Sequence, residues 1–439
     1  MTCQYRLCCG AGKADITAKI GTILYGYAPG RPAEAVGDPL TTTAIKSTSN
    51  ADDALLITCD LAAINPELAT RIRKLTGEAA QIKPENVIVN VTHTHSAPNC
   101  SLESGWGKVD TEYIESILIP GVIKAATEAA ANCRPALMGI GETDSDVGIN
   151  RRELSEDGKV LLGQNPWGPH DPKMTVLSFK DMDNNIIANL IHYACHGTAS
   201  GKNPEITRDW CGVMTDMLDA ETGGISGFFQ GFEGDQGPRL PNGKTMQNYS
   251  AALQLGARAG IDAVRAWRSI KQWQEVPVRV LHDTISIPFQ PLASTEKAEA
   301  ELAKLGTLEQ IYAEKRFSKL NDYMHWNNVL AEHNSSKRYK THFTFAQSIV
   351  TLGPVAILPC PFEAFAEIGL RIRRGSPYAY TLNLCNTHGC YAYLPTASAF
   401  VRGGYEVWHF ELAMRTTYPL PNNTDDYWVQ QNLAILHNN

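Results

Sequence analysis

Short apolar runs that stop abruptly at glycine-, proline- or histidine-bearing sequence recur along this 439-residue chain. No other feature constrains its fold as strongly. Val87-Ile88-Val89-Asn90-Val91 reads as a buried strand that runs into His93-Thr94-His95-Ser96-Ala97-Pro98. Ala54 to Cys59 reads as another strand, followed by a helix from Pro66 to Gly77. Met174 to Phe179 and Ile186 to His192 read as adjacent strands, joined by the turn signal Asp181-Met182-Asp183-Asn184-Asn185. Val355 to Leu358 reads as a short strand leading to a helix from Glu363 to Arg374. Asp110 to Ala131 reads as a long amphipathic helix. Asn248 to Trp267 reads as a helix with Leu253, Ala257, Ile261, Val264 and Trp267 roughly on one face. This alternation predicts an α/β fold, a layered mixed β-sheet core flanked by helices. Residues 293 to 340 are the most charged and helical stretch, and Thr307 with Gln310 fits a capping box. With no internal repeat or long linker, the expectation is a single catalytic domain over 1–439 with a helical insertion at about 293–340.

The bulk numbers exclude several classes. A chain 43% hydrophobic and 19% charged has ample core-forming material. Its net charge is -7 and it has no basic block, so nucleic acid is not an expected partner. No apolar run reaches membrane-spanning length. Met1 to Leu7 lacks the basic head and apolar stretch of a secretory signal. The 11 cysteines are scattered without zinc-ribbon spacing, which predicts reduced, mostly buried thiols and a cytoplasmic location. Nothing in the sequence sets an oligomeric state.

The polar ends of the apolar runs carry the candidate chemistry. On an extended chain His93 and His95 point the same way. One imidazole can then hold a metal while the other moves a proton, or both are simply hydrogen-bonded at a strand end. Ile191 to Thr198 ends in His196-Gly197-Thr198. His192 and His196 share the spacing of a zinc helix, but the β-like run and the missing HExxH glutamate argue against one. Phe229 to Pro238 sets Glu233 and Asp235 among three glycines, as a loop presenting amides or carboxylates would. Leu358-Pro359-Cys360-Pro361-Phe362-Glu363 places Glu363 after a strand, as a ligand or as a carboxylate at a helix start. Thr387 to Thr396 and then Gly403-Gly404-Tyr405-Glu406 bring tyrosines that can ligate, donate hydrogen bonds or pack. Gly148-Ile149-Asn150-Arg151-Arg152 puts an arginine after a glycine turn. A Cys195–His196 nucleophilic pair is disfavoured, because neighbours on a strand face opposite sides.

Taken in order, these segments resemble the neutral/alkaline non-lysosomal ceramidase family, over its N-terminal catalytic domain. Ala11-Gly12-Lys13-Ala14-Asp15-Ile16-Thr17 is similar to that family's AGxADIT, and His93 to Pro98 to its HTHSxP. Asn150-Arg151 is similar to its NINR, His196-Gly197-Thr198 to its HGTS, and Gln230-Gly231…Gly234-Asp235 to its QGNxGD. Tyr393 and Tyr405 stand twelve apart, like the tyrosines of its GYxTTxEEYxxQxYE. The resemblance runs from residue 11 to about 410. The Asn and Ser of QGNxGDxSPN are absent, and Ala397-Ser398-Ala399-Phe400 replaces the acidic stretch between the tyrosines.

The resemblance implies a zinc-dependent amidohydrolase holding one Zn2+ ion through His93, His196, Glu363 and Tyr393. It makes His95 the general base and acid, and it sets Arg151 and Tyr405 on the scissile carbonyl oxygen. The metal would polarise that carbonyl and activate water. The implied partner is a small-molecule N-acyl or lipid-like substrate, ceramide-like or smaller, split at a linear amide. Two other readings keep the same residues: a non-catalytic binding module, and a metallo-esterase or phosphoesterase. The second is the weaker, since no Asp and Asn cluster stands near His93.

Overall fold

The computed structural model describes residues 7–27, 30–101, 108–314, 316, 319–335, 339–412 and 417–438. Eight strands lie side by side in a first sheet. They are β1 (Cys8–Asp15), β2 (Thr41–Thr48), β3 (Asp53–Cys59), β4 (Val87–Val91), β5 (Arg134–Asp144), β6 (Lys173–Asp181), β7 (Ile186–Tyr193) and β8 (Ile225–Gln230). Their order is β8-β7-β6-β5-β1-β2-β3-β4, with Trp273–Gln274 paired to β5. Neighbours are antiparallel except β3–β4 and β7–β8, which run parallel. A second sheet holds β9 (Val278–Pro288), β10 (His342–Leu352), β11 (Val355–Pro359) and β12 (Tyr380–Leu384), its last pair parallel.

Side-chain alternation along the strands builds the layers. Cys9, Ala11, Ile45, Leu56, Leu177 and Leu190 form one core with Val350, Leu352 and Leu382 of the second sheet. Residues between them in sequence, such as Ala44, Leu55 and Ile57, face helices α1 (Pro66–Ala80) and α2 (Ile119–Ala131). Val176, Ile191 and Phe228 face α3 (Asp209–Thr222) and α4 (Tyr249–Arg268). Helices α8 (Ala366–Gly375) and α9 (Thr424–Asn438) contribute Ile368, Ile372, Trp428 and Ile435 to a core with β9, β10 and β11. The order helix, sheet, sheet, helix is the α/β layering expected. In the connection between β9 and β10 lie α5 (Thr295–Leu305), α6 (Leu308–Ala313) and α7 (Leu320–His333), and Thr307 and Gln310 close the capping box.

Four local expectations need correction. The helix expected to stop at Gly77 continues to Ala80 and is closed by Gln81 at φ 56°. Gly77 sits inside it because a Cβ there would meet the Ile82 carbonyl at 2.7 Å, where the chain folds back. The helix from Asp110 contains a π turn at Ile114–Leu118, just before Pro120, which has no N–H to give the ladder. In α4 the buried face is not Leu253 and Ile261, which are 40% and 54% exposed, but Ala252, Gly256, Ala259, Gly260 and Ala263. Small residues let α4 approach α3 closely: a Cβ at Gly256 would lie 2.6 Å from the Trp210 carbonyl. Finally, Cys8 is disulfide-bonded, whereas Cys9, Cys59, Cys100, Cys133, Cys195, Cys211, Cys360 and Cys385 are free thiols, so reduced cysteine does not hold throughout.

Candidate metal centre

The C-terminal ends of the three parallel strand pairs converge. Ligands in open α/β sheets gather at such ends. Asn90, the polar residue inside the apolar β4 run, ties three of them. Its Oδ1 accepts from Gln230 N–H at the end of β8, and its Nδ2 donates to the Cys385 carbonyl just after β12. Beyond β4 the chain turns sharply. His93 has φ 62°, so left-handed backbone and not strand alternation sets its ring against His95. The ring centroids lie 4.7 Å apart and the two Nε2 atoms 3.1 Å apart. Thr94 bridges to Gly197, which draws the loop after β7 alongside. A Cβ at Gly197 would stand 2.9 Å from the His93 carbonyl, so only glycine fits there. Glu363 does not open a helix. It lies in a two-residue parallel bridge, Glu363–Ala364 with Tyr393–Leu394, and α8 begins only at Ala366. The bridge places Glu363 and Tyr393 side by side.

Proton bookkeeping shows what these residues can hold. His93 Nδ1 donates to the Ala62 carbonyl at 2.6 Å. His196 Nδ1 donates to the carbonyls of Glu233 and Gln236, both at 2.9 Å. With the proton on Nδ1, the Nε2 of each ring is the atom turned inward. Burial, with the Arg151 charge second, pushes His196 down to about 3, so it is neutral at ordinary pH. Glu363 Oε2 lies 3.5 Å from His93 Nε2 and 3.2 Å from His196 Nε2. These are contacts between lone pairs, and Oε2 is buried with no hydrogen-bond partner among the described residues. Ligand atoms of His93, His196 and Glu363 all lie within 4.8 Å of one another. Two imidazole nitrogens and a carboxylate oxygen converging without protons between them fit a divalent metal. The Tyr393 hydroxyl is 3.5 Å from His196 Nε2, on the edge of the same group.

Arg151 stands behind Tyr393. Its Nη2 donates to the Tyr393 hydroxyl at 3.0 Å and its Nε to Glu406 Oε1 at 2.9 Å. The Tyr405 ring is 5.7 Å from that of Tyr393, with the Arg151 guanidinium 5.9 Å from its centroid. His95 is covered by the turn through Gly26, where φ is 115° and a Cβ would meet His95 Nδ1 at 2.4 Å. The Tyr27 ring lies 5.1 Å from His95. The seven residues to which the resemblance gives roles, His93, His95, Arg151, His196, Glu363, Tyr393 and Tyr405, thus lie in one cluster. His192 does not join it: its Nε2 bonds the Asn383 carbonyl in the core.

Several further residues support the cluster, and of these Glu233, Gln236 and Glu406 stand in segments the sequence marks out. Glu233 and Gln236 orient His196 through their backbone carbonyls. Asn386 donates to Glu233 Oε1 at 2.6 Å and stands 3.3 Å from His93 Nδ1. Glu406 holds both Arg151 and Arg152. His409 packs on Tyr405 with centroids 4.3 Å apart. Burial also depresses His409, to about 4. Such histidines stay neutral in the folded protein, whereas in the unfolded chain they take up protons near 6.5. Their contribution to stability is complete above pH 6.5 and is lost as pH falls through 4. Urea midpoints of chelator-treated protein should therefore fall steadily below pH 6.5, and a midpoint level down to pH 4 contradicts this.

The model of the neutral/alkaline non-lysosomal ceramidase family, N-terminal, matches residues 7–252. Among solved structures, neutral ceramidase from Pseudomonas aeruginosa is similar with a TM-score of 0.74 at 17% identity, over 99% of this chain and 74% of that one. A ceramidase complexed with C2 gives a TM-score of 0.68 at 17% identity, with the same coverage of 99% and 74%. At that identity the structural likeness establishes a shared fold. No curated protein matches the sequence.

Proposed function

The chain belongs to the neutral/alkaline non-lysosomal ceramidase family, and we propose that it hydrolyses the linear amide of a ceramide-like N-acyl substrate with the help of one zinc ion. The observation that carries this reading is the buried, unpartnered Glu363 Oε2 facing two imidazole lone pairs. His93, His196 and Glu363 would hold the metal, with Tyr393 as a fourth ligand. A zinc ion so held supplies Lewis acidity toward a carbonyl oxygen and toward water. His95, beside His93 and screened by Tyr27, takes the proton of the attacking water and hands it to the departing nitrogen. Arg151 and Tyr405 face the amide oxygen and stabilise the charge it gains, one such donor being worth roughly 3–4 kcal/mol. Glu406 holds the Arg151 guanidinium in place and Asn386 holds the Glu233 carboxylate.

Exposed apolar side chains near this machinery favour a lipid-bearing substrate. The hairpin that follows Arg151 exposes Leu154, Leu161 and Leu162, at 60%, 52% and 44%. It is joined through Arg152 to the Gly403 carbonyl, two residues from Val401, which is 91% exposed. Trp167, 93% exposed, is tied to the same hairpin by the bond from Asn165 to the Arg152 carbonyl. Replacing Trp167 and Leu161 by Ser should raise KM several-fold for N-acylsphingosine presented in vesicles and leave a soluble short-chain amide unaffected. Equal effects on both substrates would show that these residues serve the fold.

The reading as a whole is tested by N-acylsphingosine hydrolysis before chelation, after it and on zinc return. Turnover should vanish and come back. Undiminished turnover in the metal-free protein would refute the mechanism.

A further inference from the structure

Gln236 links the metal ligand His196 to a second polar cavity. Its backbone carbonyl accepts from His196 Nδ1, and its side-chain oxygen accepts from His170 Nδ1 at 2.8 Å. The orientation of the amide is fixed, because Gln236 Nε2 donates to the Pro169 carbonyl at 3.0 Å and to Asp235 Oδ1 at 2.8 Å. His170 therefore carries its proton on Nδ1 and keeps a lone pair on Nε2. That nitrogen is buried with no hydrogen-bond partner among the described residues.

His170, Ser145 and Arg239 line a cavity of about 520 Å3. Ser145 is 2% exposed and its hydroxyl has no partner among the described residues. Arg239 Nε is likewise buried and unpaired. The carboxylates on the same wall are already matched. Asp144 pairs with Lys173 at 2.7 Å, Asp146 with Arg258 at 2.7 Å, and Asp262 with Arg265 at 3.1 Å. Among the described residues Arg239 has no carboxylate partner, so the cavity holds an uncompensated cation. It also offers a free hydroxyl donor and a free imidazole acceptor.

We propose that this cavity binds a phosphate group, free or as a monoester. Its ionised oxygens would accept from the Arg239 guanidinium and the Ser145 hydroxyl. A phosphate monoester has its second pKa near 6, so a protonated oxygen remains accessible around neutral pH to donate to His170 Nε2. Sulfate has the same shape and charge but no such proton, so it satisfies the donors and leaves His170 unmatched. An occupant would also brace Gln236 and, through it, the carbonyl that orients His196.

The test is isothermal titration calorimetry of the zinc-loaded protein with inorganic phosphate, glycerol phosphate and sulfate. Phosphate or the monoester should bind about ten-fold or more tightly than sulfate. Whichever of the two binds better identifies the natural source of the group. Arg239→Gln and Ser145→Ala should each weaken that binding about ten-fold. Arg239 has no ion pair to lose, and Ser145→Ala is a mild change, so both variants should stay folded, as their melting curves will show. The proposal fails if phosphate gives no saturable heat at millimolar concentration, or if sulfate binds equally well. It also fails if folded Arg239→Gln binds phosphate like the parent protein, since the anion would then sit elsewhere, the metal included.

Discussion

Replacing His196 by Ala is expected to abolish amide hydrolysis while leaving the chain folded. The ring gives the proposed metal one lone pair, and its other nitrogen is held by two backbone carbonyls. Removing it leaves His93, Glu363 and Tyr393 as an incomplete set. The Lewis-acid contribution is several kcal/mol, so kcat/KM should fall on the order of 10^3-fold or more. Added zinc should not restore it. His95→Ala gives the contrasting result: metal stays bound, yet turnover drops by about 10^2–10^4-fold, the usual contribution of a proton-transfer group. Activity on N-acylsphingosine together with bound zinc separates the two roles. If His95→Ala loses zinc as His196→Ala does, His95 is a ligand and the assignment is wrong.

Glu406→Ala should be the most destabilising single change near the site. Its side chain is 0% exposed and accepts from Arg151, 7% exposed, and from Arg152, 9% exposed. Removing the carboxylate leaves two guanidiniums buried without their counter-charge, which costs roughly 3–5 kcal/mol. Glu406→Gln keeps the shape and part of the hydrogen bonding, so its loss should be smaller. Arg151 would also lose its anchor, and kcat should fall with stability. Urea unfolding of the three proteins measures the first effect. A loss below about 1 kcal/mol, the scale of an exposed pair, would show that the cluster is effectively solvated.

How far the sequence reveals this site follows from where each residue lies. His93, His95 and His196 are legible because each follows an apolar run, and a histidine at a strand end stands out. Strand alternation nevertheless does not pair His93 with His95; a left-handed turn at His93 brings the rings together. Glu363 stands out after an apolar run, but its sequence reads equally as a ligand or as a helix start. The two-residue bridge to Tyr393 is too short to leave a periodic signal. Glu406 and Asn386 act through partners far away in sequence, 255 residues in the case of Arg151, and no local pattern encodes such a contact. The α/β layering was legible because strand and helix periods alternate. The packing face of α4 was not, because a hydrophobic stripe favours Leu253 and Ile261, whereas close helix contact selects Gly256 and Gly260.

Family membership accounts for residues 7–252, whereas Glu363, Tyr393 and Tyr405 lie beyond that match and rest on the observed convergence. Zinc analysis by mass spectrometry therefore bears most directly on the central claim, using purified parent and Glu363→Gln protein equilibrated with micromolar zinc. The parent should carry about one zinc per chain and the folded variant far less, as expected when a four-residue site loses its carboxylate ligand. Equal zinc in the two proteins, or none in the parent, would contradict the proposed metal centre.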